Sequence, residues 1–424
     1  MTQSSDPAAP LSSSLAAAKT AKKKRVNVRT PNVMEKVQAE VEIHYRSEVV
    51  EKLNSRGGIL TIGNTTVRLA RQFGFCYGVE RAIDLAYAAR RVFSDQQIFL
   101  IGEIIHNPEV NRQLKEMGIK NLVGPQKDSD VTDLTEDDIV IVPAFGTNLE
   151  MMAAVKERGC TIIDTTCGDV MSVWRRVKGY AKENMTSIIH GKSAHEETQA
   201  TASRAVGTNG TGHYLVILTL DDVDFVGDYI RNGGDKEEFL KRFTDAYSDG
   251  FDPDVHLQRL GVANQTTMLK SETEELQRRL AKAVEDRDGT DFAEKNFKFF
   301  DTICGATQER QDALFEMLQR PMDLLIVVGG YNSSNTGHLV EIGERELPSF
   351  FIRTADCLET LERILHFDLH DKKEKHSYVE KLAGSGPVTV GVTAGASCPN
   401  NLIENTILRL FELRGIARED VFSS

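Results

Sequence analysis

The sequence lacks several features that mark whole classes of protein. Its 424 residues include only six cysteines and no secretory signal, which excludes a disulfide framework and favours a reducing, cytoplasmic compartment. No uninterrupted apolar stretch approaches the roughly 20 residues of a membrane-spanning helix. Acidic side chains outnumber basic ones, and the net charge of −12 argues against nucleic acid as the main partner. The hydrophobic fraction of 40% and the charged fraction of 27% are those of a soluble globular chain.

The cysteines also lack the close C-x₂₋₄-C spacing that structural zinc sites use. Three of them, Cys76, Cys167 and Cys304, nevertheless share one context: an apolar run precedes each cysteine and a helix-like run follows it. A helix N-terminus lowers the pKa of a thiol, so each cysteine is well placed as a thiolate. Burial in a core is the ordinary interpretation of any one of them. Because the context recurs three times, we favour a shared site, and three dispersed thiolates fit a [4Fe–4S] cluster with an open fourth iron better than they fit zinc.

The same order of elements surrounds each of these cysteines. A second apolar run ends in a polar loop (IFLIGEIIHNPEV, TSIIHGKSAHEET and LLIVVGGYNSSNTG), and a third ends in small and hydroxyl residues (DDIVIVPAFGTN, QRLGVANQTTM and VTVGVTAGASCPN). A helix-like run follows the second apolar run in two of the three units, as NRQLKEMG and LVEIGERE. Short runs rich in Val and Ile that alternate with helices predict parallel sheets, and ligands of such sheets bind beyond the carboxyl ends of the strands.

The predicted fold class is therefore α/β, with three pseudo-threefold-related α/β units, a trefoil, around a central iron–sulfur cluster. The first unit is expected to span 78–166. The second is expected to span 167–303, with a helical insertion at about 221–253, and the third to join 59–77 to 304–424.

Three further segments have distinctive compositions. Residues 1–30 hold six Lys or Arg and one Asp in a Ser/Ala-rich background, which predicts a disordered basic extension, with a plastid transit peptide as the alternative. Residues 31–58 predict a charged surface helix closed by Gly57 and Gly58. The charged run 369–382 predicts solvated surface or helix.

The loops at the strand ends supply many hydrogen-bond donors and one carboxylate. In chain order these residues are His106, His195, Glu197, Thr266, Thr267, Ser333, Ser334, Asn335 and Ser397. Hydroxyls, amides and imidazoles at helix N-termini hold phosphate without a Walker loop, and a carboxylate among them is a candidate proton donor. Helix capping is the ordinary explanation of each residue alone. Their recurrence at equivalent positions favours one shared anion pocket.

Eight motifs in this order resemble those of one family: RQFGFCYGVERAI, EIIHNP, DTTC, HEET, NQTT, DTICxATxxRQ, NSSN and VTAGAS. From about residue 66 to 415 the chain is similar to the 4-hydroxy-3-methylbut-2-enyl diphosphate reductases, the last enzymes of the non-mevalonate isoprenoid pathway. The resemblance implies one [4Fe–4S] cluster on Cys76, Cys167 and Cys304. It also implies reductive removal of the C4 hydroxyl of the allylic diphosphate, which uses two electrons and two protons and gives isopentenyl and dimethylallyl diphosphates.

The resemblance assigns individual roles by motif. It implies that Glu197 relays protons and that Thr266 lies near the substrate hydroxyl, with Thr267 beside it in the same motif. It implies contacts to the diphosphate from His106, His195, Thr266, Ser333, Ser334, Asn335 and Ser397. Glu196, where other members often carry Pro, is expected to face outward as a spectator. Three cysteines are expected to be dispensable for the cluster: Cys160, Cys357 and Cys398.

Two positions depart from the pattern of many bacterial members. Phe145 stands in A-F-G where those members have A-H-G, so a histidine contact to the diphosphate is missing and Phe145 cannot replace it. A-F-G and the insertion in the second unit resemble instead the plant and cyanobacterial branch, which implies reduced ferredoxin, or flavodoxin, as the electron donor. Cys398 in A-S-C-P is interpreted as a small packing residue, because a fourth thiolate ligand would block the substrate.

Two rival classes stay open on the residues alone. A three-cysteine, open-iron dehydratase of the quinolinate synthase type has a similar architecture but does not combine the H-E-E-T, N-Q-T-T and N-S-S-N loops. A non-catalytic iron–sulfur carrier or sensor would have no use for Glu197 beside His195, or for a donor-rich phosphate pocket.

Overall fold

The computed structural model describes residues 27–423, which form a mixed α/β fold with three sheets, as the alternating pattern predicts. The strands of this part of the chain are β1 (Ile59–Ile62), β2 (Thr65–Leu69), β3 (Ile98–Leu100), β4 (Ile119–Asn121), β5 (Ile139–Val142), β6 (Thr161–Asp164), β7 (Thr186–His190), β8 (Tyr214–Ile217), β9 (Leu260–Asn264), β10 (Phe297–Phe299), β11 (Leu324–Val328), β12 (Ser349–Ile352), β13 (Arg363–Asp368), β14 (Lys373–Tyr378) and β15 (Val388–Ala394).

Helices connect these strands and cover the sheets. They are α1 (Pro31–Tyr45), α2 (Glu48–Ser55), α3 (Tyr77–Val92), α4 (Pro108–Glu116), α5 (Leu149–Glu157), α6 (Gly168–Lys182), α7 (Glu196–Ala205), α8 (Leu220–Asn232), α9 (Lys236–Arg242), α10 (Pro253–His256), α11 (Lys270–Asp288), α12 (Thr290–Asn296), α13 (Gly305–Leu318), α14 (Ser334–Glu344), α15 (Glu380–Ala383), α16 (Asn400–Leu413) and α17 (Arg418–Ser423). Among the described helices, none is both long enough and apolar enough to cross a membrane.

The three sheets repeat one parallel core of four strands. The strand order is β4-β3-β5-β6 in the first sheet, β8-β7-β9-β10 in the second and β12-β11-β15-β2 in the third. In each core the last strand leads into one of the three cysteines. The third sheet is longer, because β1, β13 and β14 extend it with antiparallel pairs. Its central strand β11 (LLIVV) is buried at every position, as expected for a parallel strand covered on both faces.

The second unit contains a helix that the sequence analysis did not anticipate. α7 follows β7 as α4 follows β3 and α14 follows β11, so a helix occupies this place in all three units. The buried face of α7 includes Ala200, Ala202 and Ala205, whose small side chains give only a weak helical period in hydrophobicity. The expected insertion corresponds to the helices α8, α9 and α10.

The N-terminal segment differs from the single surface helix that was expected. α1 ends at Tyr45, and α2 begins after Ser47, whose Oγ accepts a hydrogen bond of 2.9 Å from the N–H of Val50. Tyr45 lies in the core beside α3, whereas Val50 lies in the core of the third sheet. The segment therefore packs against two cores, because its apolar residues face inward on both helices. The predicted extension lies largely outside the described residues.

The charged run 369–382 contains a turn, the strand β14 and the first residues of α15, so the expected helix forms only at its end. β14 pairs antiparallel with β13 at the edge of the third sheet, and its side chains are exposed almost throughout. A strand at the edge of a sheet can be exposed to solvent on both faces. The polar composition of β14 therefore did not distinguish it from a solvated loop.

Candidate active site

One cavity of about 100 Å³ brings together every site residue that the sequence analysis named. Its lining includes Cys76, His106, Cys167, His195, Glu197, Thr266, Thr267, Cys304, Ser333, Ser334, Asn335 and Ser397. The other three cysteines do not line it; Cys357 and Cys398 are buried in the core of the third sheet, and Cys160 packs beside a cluster of the first. We call this space the thiol cavity.

The three cysteines enter the thiol cavity in the same way. Each is the residue that immediately precedes a helix: Cys76 before α3, Cys167 before α6 and Cys304 before α13. The backbone N–H groups donate to the carbonyl oxygens of Ala396, Ala144 and Thr266 respectively, at 3.1, 2.8 and 3.2 Å. Each acceptor lies in the loop after the neighbouring parallel strand of the same sheet. The repeated sheet order therefore fixes all three cysteines equivalently.

A glycine makes room for two of the thiols. A Cβ atom placed on Gly78 would lie 2.7 Å from Sγ of Cys167 and 3.9 Å from Sγ of Cys76. A side chain at position 78 would therefore displace the sulfur of Cys167. Both sulfurs therefore lie beside the first turn of α3, which suits a shared metal group.

Burial changes the protonation of the thiols. It raises the pKa of Cys304 to about 12 and raises the pKa of Cys167 above its usual value, although backbone N–H groups at the helix starts oppose both shifts. For Cys167 and Cys304 in the protein without a metal, desolvation therefore outweighs the helix N-terminus that was expected to favour the thiolate. A metal cluster bound here would release these protons.

Arginines connect the three cysteine segments in cyclic order. Arg81 of α3 donates to the carbonyl oxygens of Thr165 and Thr166, just before Cys167. The guanidinium of Arg176 on α6 lies 3.8 Å from the ring centroid of Phe300, shortly before Cys304. These two contacts tie each cysteine helix to the segment that carries the next cysteine.

Arg310 closes the ring. This buried residue of α13 donates to the carbonyl oxygen of Gly74 from Nε at 3.1 Å and from Nη2 at 2.6 Å, and to that of Phe75 at 3.1 Å. Both acceptors lie just before Cys76. Contacts from arginine side chains therefore connect the segments that carry the three thiols.

Two histidines pack edge to face on one side of the cavity. The ring centroids of His106 and His195 are 4.9 Å apart, at an interplanar angle of 77°. Nδ1 of His195 accepts a hydrogen bond of 3.2 Å from the N–H of Glu197. Burial lowers the pKa of His195 well below its usual value, so the neutral ring carries its proton on Nε2. His195 is thus a neutral donor to the cavity.

Phe145 holds the ring of His106. The two rings stack with centroids 4.6 Å apart and planes 7° apart. At the edge of the ring, Nδ1 of His106 lies 3.3 Å from both Oε2 of Glu103 and Nδ2 of Asn332. Phe145 therefore supplies an orienting surface for a neighbouring donor and offers no polar contact of its own.

The helix α14 contributes a row of polar residues. Ser333 caps the helix, and its Oγ accepts from the N–H of Thr336 at 3.3 Å. Asn335 uses its Oδ1 to accept from the N–H of Ala396 at 2.9 Å. Within residues 27–423, no hydrogen-bond partner reaches four buried atoms on the cavity: Nε2 of His106, Nε2 of His195, Oγ of Ser334 and Nδ2 of Asn335. Buried polar atoms without a partner are costly, and an anionic ligand would satisfy those that carry a hydrogen.

Glu197 is the buried carboxylate of the cavity. Its Oε1 accepts from the N–H of Thr266 at 2.6 Å, and its Oε2 accepts from the hydroxyl of Thr266 at 3.0 Å. Burial raises the pKa of Glu197 to about 7, although both bonds from Thr266 act in the opposite direction. The carboxyl can therefore hold a proton near neutral pH.

Its neighbour Glu196 is exposed over 57% of its side chain, in line with the expected outward orientation. Even so, its Oε2 lies 3.8 Å from Nε2 of His106. One ligand atom each from His106, His195 and Glu196 falls within 4.8 Å of the others, so these residues form a polar rim at the cavity.

Sequence reasoning missed several residues that shape the cavity. Asp169 lines the thiol cavity and contacts the thiol of Cys304. The one signal for Asp169 in the sequence was its position two residues after Cys167. Three further residues hold site residues or their backbone in place without lining the cavity: Glu103, Asn332 and Arg310. No motif spacing distinguishes such residues from ordinary surface or core positions.

The fold and the cavity define a class of protein. Three thiols from three repeated α/β sheets face a set of unpartnered anion donors and one buried carboxyl, which is the arrangement of an α/β enzyme that holds an anionic ligand beside a thiol-bound metal group.

Comparisons with known proteins narrow this class. The family profile described as LytB protein matches residues 67–411. A protein of Gloeobacter violaceus named 4-hydroxy-3-methylbut-2-enyl diphosphate reductase is 47% identical over 385 residues, which are 90% of this chain and 90% of that protein. A Synechococcus protein of the same name is 45% identical over 379 residues, covering 89% and 93%. The chain therefore belongs to the LytB family, with relatives on its cyanobacterial side, as the motifs predict.

A solved structure shows the same fold. The E-1-hydroxy-2-methyl-but-2-enyl-4-diphosphate reductase from Plasmodium falciparum superimposes with a TM-score of 0.59 at 22% sequence identity, covering 83% of this chain and 90% of that one. The family is one of iron–sulfur oxidoreductases.

Proposed function

We propose that the chain is a 4-hydroxy-3-methylbut-2-enyl diphosphate reductase that acts in the last step of the non-mevalonate isoprenoid pathway. It takes (E)-4-hydroxy-3-methylbut-2-enyl diphosphate, adds two electrons and two protons, and breaks the C4–O bond to release water. The products are isopentenyl and dimethylallyl diphosphates. One observation carries the proposal: three thiols, four unpartnered buried polar atoms and a protonatable carboxyl surround a single cavity.

The thiols suit the family's cofactor. Cys76, Cys167 and Cys304 would hold one [4Fe–4S] cluster whose fourth iron has no protein ligand. When bound, such a cluster supplies electrons and a Lewis-acid centre for a substrate oxygen. The gap at Gly78 and the absence of a fourth thiol on the cavity support this assignment among the described residues.

The polar wall suits the diphosphate. His106, His195, Ser333, Ser334, Asn335 and Ser397 would bind its oxygens, together with the hydroxyl of Thr266. Neutral His195 donates through Nε2, and Ser334 and Asn335 add donors from the first turn of α14, where the helix dipole also favours an anion. These contacts would orient the C4 end of the substrate toward the thiols.

Glu197 and Thr266 would deliver the proton. When Glu197 is protonated, its carboxyl can donate to the hydroxyl of Thr266, which then turns its own hydrogen toward the leaving oxygen. The N–H of Thr266 holds the carboxyl in place during this transfer. Thr267 lies on the same wall, where its hydroxyl accepts from the side-chain amide of Gln265 at 2.8 Å.

The three sheets would form a trefoil around the cluster, with units of 78–166, 167–303, and 59–77 joined to 304–424. The identical strand order, the equivalent cysteine N–H bonds and the cyclic arginine contacts support this arrangement. Reduced ferredoxin or flavodoxin would supply the electrons.

An anaerobic activity assay tests the function. Purified protein with a reconstituted cluster should convert the hydroxylated diphosphate into the two C5 diphosphates. The reaction should be faster with reduced ferredoxin or flavodoxin than with a small-molecule reductant alone. Cys357→Ser should match the wild type, whereas Cys304→Ser should be inactive and lack iron. Release of an unreduced dehydration product, or no turnover by protein with a full iron content, would contradict the proposal.

A further inference from the structure

A second cavity, of about 280 Å³, lies between β2 and the end of α13. Its lining includes Arg68 on β2, Arg71 just after that strand, and Arg320 just after α13. It shares no lining residue with the thiol cavity. We call it the arginine cleft.

The arginine cleft has a strong excess of positive charge. Glu316 is the carboxylate in its lining, and it lies 3.7 Å from Arg71 at the exposed mouth. Within residues 27–423, no carboxylate lies within ion-pair distance of Arg68 or Arg320. The cleft therefore carries three guanidinium groups and one carboxylate, in a protein whose net charge is −12.

Arg68 is the least satisfied of these groups. Its Nε and Nη1 atoms are buried and have no hydrogen-bond partner in the described part of the chain. Burial, with the neighbouring charge of Arg320, lowers the pKa of Arg68 below its usual value. A guanidinium that is partly desolvated, unpaired and close to a second one is costly unless an anion neutralises it.

The backbone shapes the cleft around Arg68. Gly57 and Gly58 follow α2, both with a φ of 75°, and line one side. A Cβ on Gly58 would lie 2.8 Å from the carbonyl oxygen of Leu69, so the chain can close over β2 only with glycine there. The alternation of β2 buries Val67 and Leu69 in the core and turns Arg68 to the opposite face, toward α13.

We propose that the arginine cleft is a second anion site, which binds a phosphate or diphosphate group through Arg68 and Arg320, with Arg71 at its mouth. Planar guanidinium groups match phosphate oxygens in bidentate geometry, and the volume suits a small anion or the head of a phosphorylated metabolite. β2 leads toward Cys76 and α13 follows Cys304, with the cleft at the far end of that helix, so a bound anion would brace these two elements against each other. The proposal is independent of the reaction assigned to the thiol cavity.

Titration calorimetry with inorganic diphosphate on the full chain tests this site. Arg68→Gln and the exposed Arg320→Gln should each bind one equivalent fewer than the wild type, or bind that equivalent about tenfold more weakly, because hydrogen bonds to charged groups contribute this much. Arg345→Gln, which removes an exposed arginine that pairs with Glu272, is the matched control and should behave like the wild type. Thermal melting checks that each variant is folded.

The difference in diphosphate binding between each arginine variant and the wild type does not depend on what the thiol cavity binds. The anion site in the arginine cleft can therefore be refuted without refuting the proposed function, and the reverse. Ser334→Ala should leave the equivalent that depends on Arg68 in place. Competition by orthophosphate and by isopentenyl diphosphate then distinguishes a free phosphate from a phosphorylated organic ligand. Equal stoichiometry and affinity in the wild type, Arg68→Gln and Arg320→Gln would overturn the proposal.

Discussion

At the residue scale, two adjacent glutamates in the H-E-E-T loop have different environments. Glu197 is buried and bonded twice to Thr266, whereas Glu196 is exposed beside His106. Glu197→Gln keeps the shape but removes the acid, so we expect iron content and substrate affinity to survive while kcat falls by about 10² or more. Glu196→Gln is the matched control, and we expect a change of less than about threefold, since its carboxylate is screened by solvent. Equal kcat values in the two variants would contradict the proton relay.

The pH dependence offers a separate test of Glu197. Burial raises its pKa to about 7, so the carboxyl is protonated below that pH and loses its proton above it. A general acid must be protonated to act, so we expect kcat of the wild type to fall as pH rises through about 7. In Glu197→Gln this fall should disappear from the residual activity. A limb at the same pH in that variant would assign it to another group.

A substitution of Phe145 tests whether the ring stacked on His106 contributes to substrate binding. Its ring stacks flat on the imidazole, and such pairs contribute about 0.5–1.5 kcal/mol. Phe145→Ala should therefore raise KM by about two- to tenfold with little change in kcat or iron content, because the ring of His106, which is proposed to bind the diphosphate, would no longer be held in one orientation. Phe422→Ala, an exposed ring on α17, is the control. A fall in kcat with unchanged KM would instead place Phe145 beside the reacting carbon.

At the scale of the elements, each cysteine depends on the helix that follows it and on an arginine of another helix. Arg310 is the buried example, with three bonds to the carbonyls of Gly74 and Phe75. Arg310→Met should leave these carbonyls unsatisfied and destabilise the fold by about 3 kcal/mol. The iron-to-protein ratio should fall with it, because the Cys76 segment loses its anchor. Urea unfolding and iron analysis measure both effects, and Arg418→Gln, which loses an exposed pair with Glu412, should change neither.

Much of this level of structure was readable in the sequence. The Val- and Ile-rich runs predicted three of the four strands of each parallel core, and the recurrence of cysteine between strand and helix predicted the cavity. The fourth strand of each core, β4, β8 or β12, was not anticipated. α7 was missed because alanines form its buried face, and β14 because an edge strand can be polar on both sides. Contacts such as that of Arg310 with Gly74 join residues 236 positions apart, and no local pattern records them.

The protonation of the thiols could not be read from spacing either. A helix start lowers the pKa of a thiol, but burial raises it, and the balance depends on how deeply the cavity excludes water. In this protein burial dominates for Cys304. Likewise, the environment of Arg68 depends on a cleft that forms only when β2 and α13 pack together.

At the scale of the whole molecule, the proposed ferredoxin or flavodoxin donor would have to dock on a protein whose net charge is −12. Arg175 and Lys178 are exposed three residues apart on α6, the helix that follows Cys167, so they share a cationic face. The double variant Arg175→Glu with Lys178→Glu should raise KM for reduced ferredoxin by about tenfold at low salt, and less at high salt. Turnover with a small-molecule reductant should be unchanged. Lys372→Glu, at the turn between β13 and β14, is the control, and an equal effect there would mean that only net charge matters.

The central claim is that Cys76, Cys167 and Cys304 hold one [4Fe–4S] cluster with an iron left open to the substrate. Mössbauer spectroscopy of anaerobically purified protein, with and without the hydroxylated diphosphate, tests it most directly. We predict about four irons per chain, of which one differs from the other three and changes its signal when the substrate is added. Four equivalent, thiolate-ligated irons that do not respond to the substrate would contradict it.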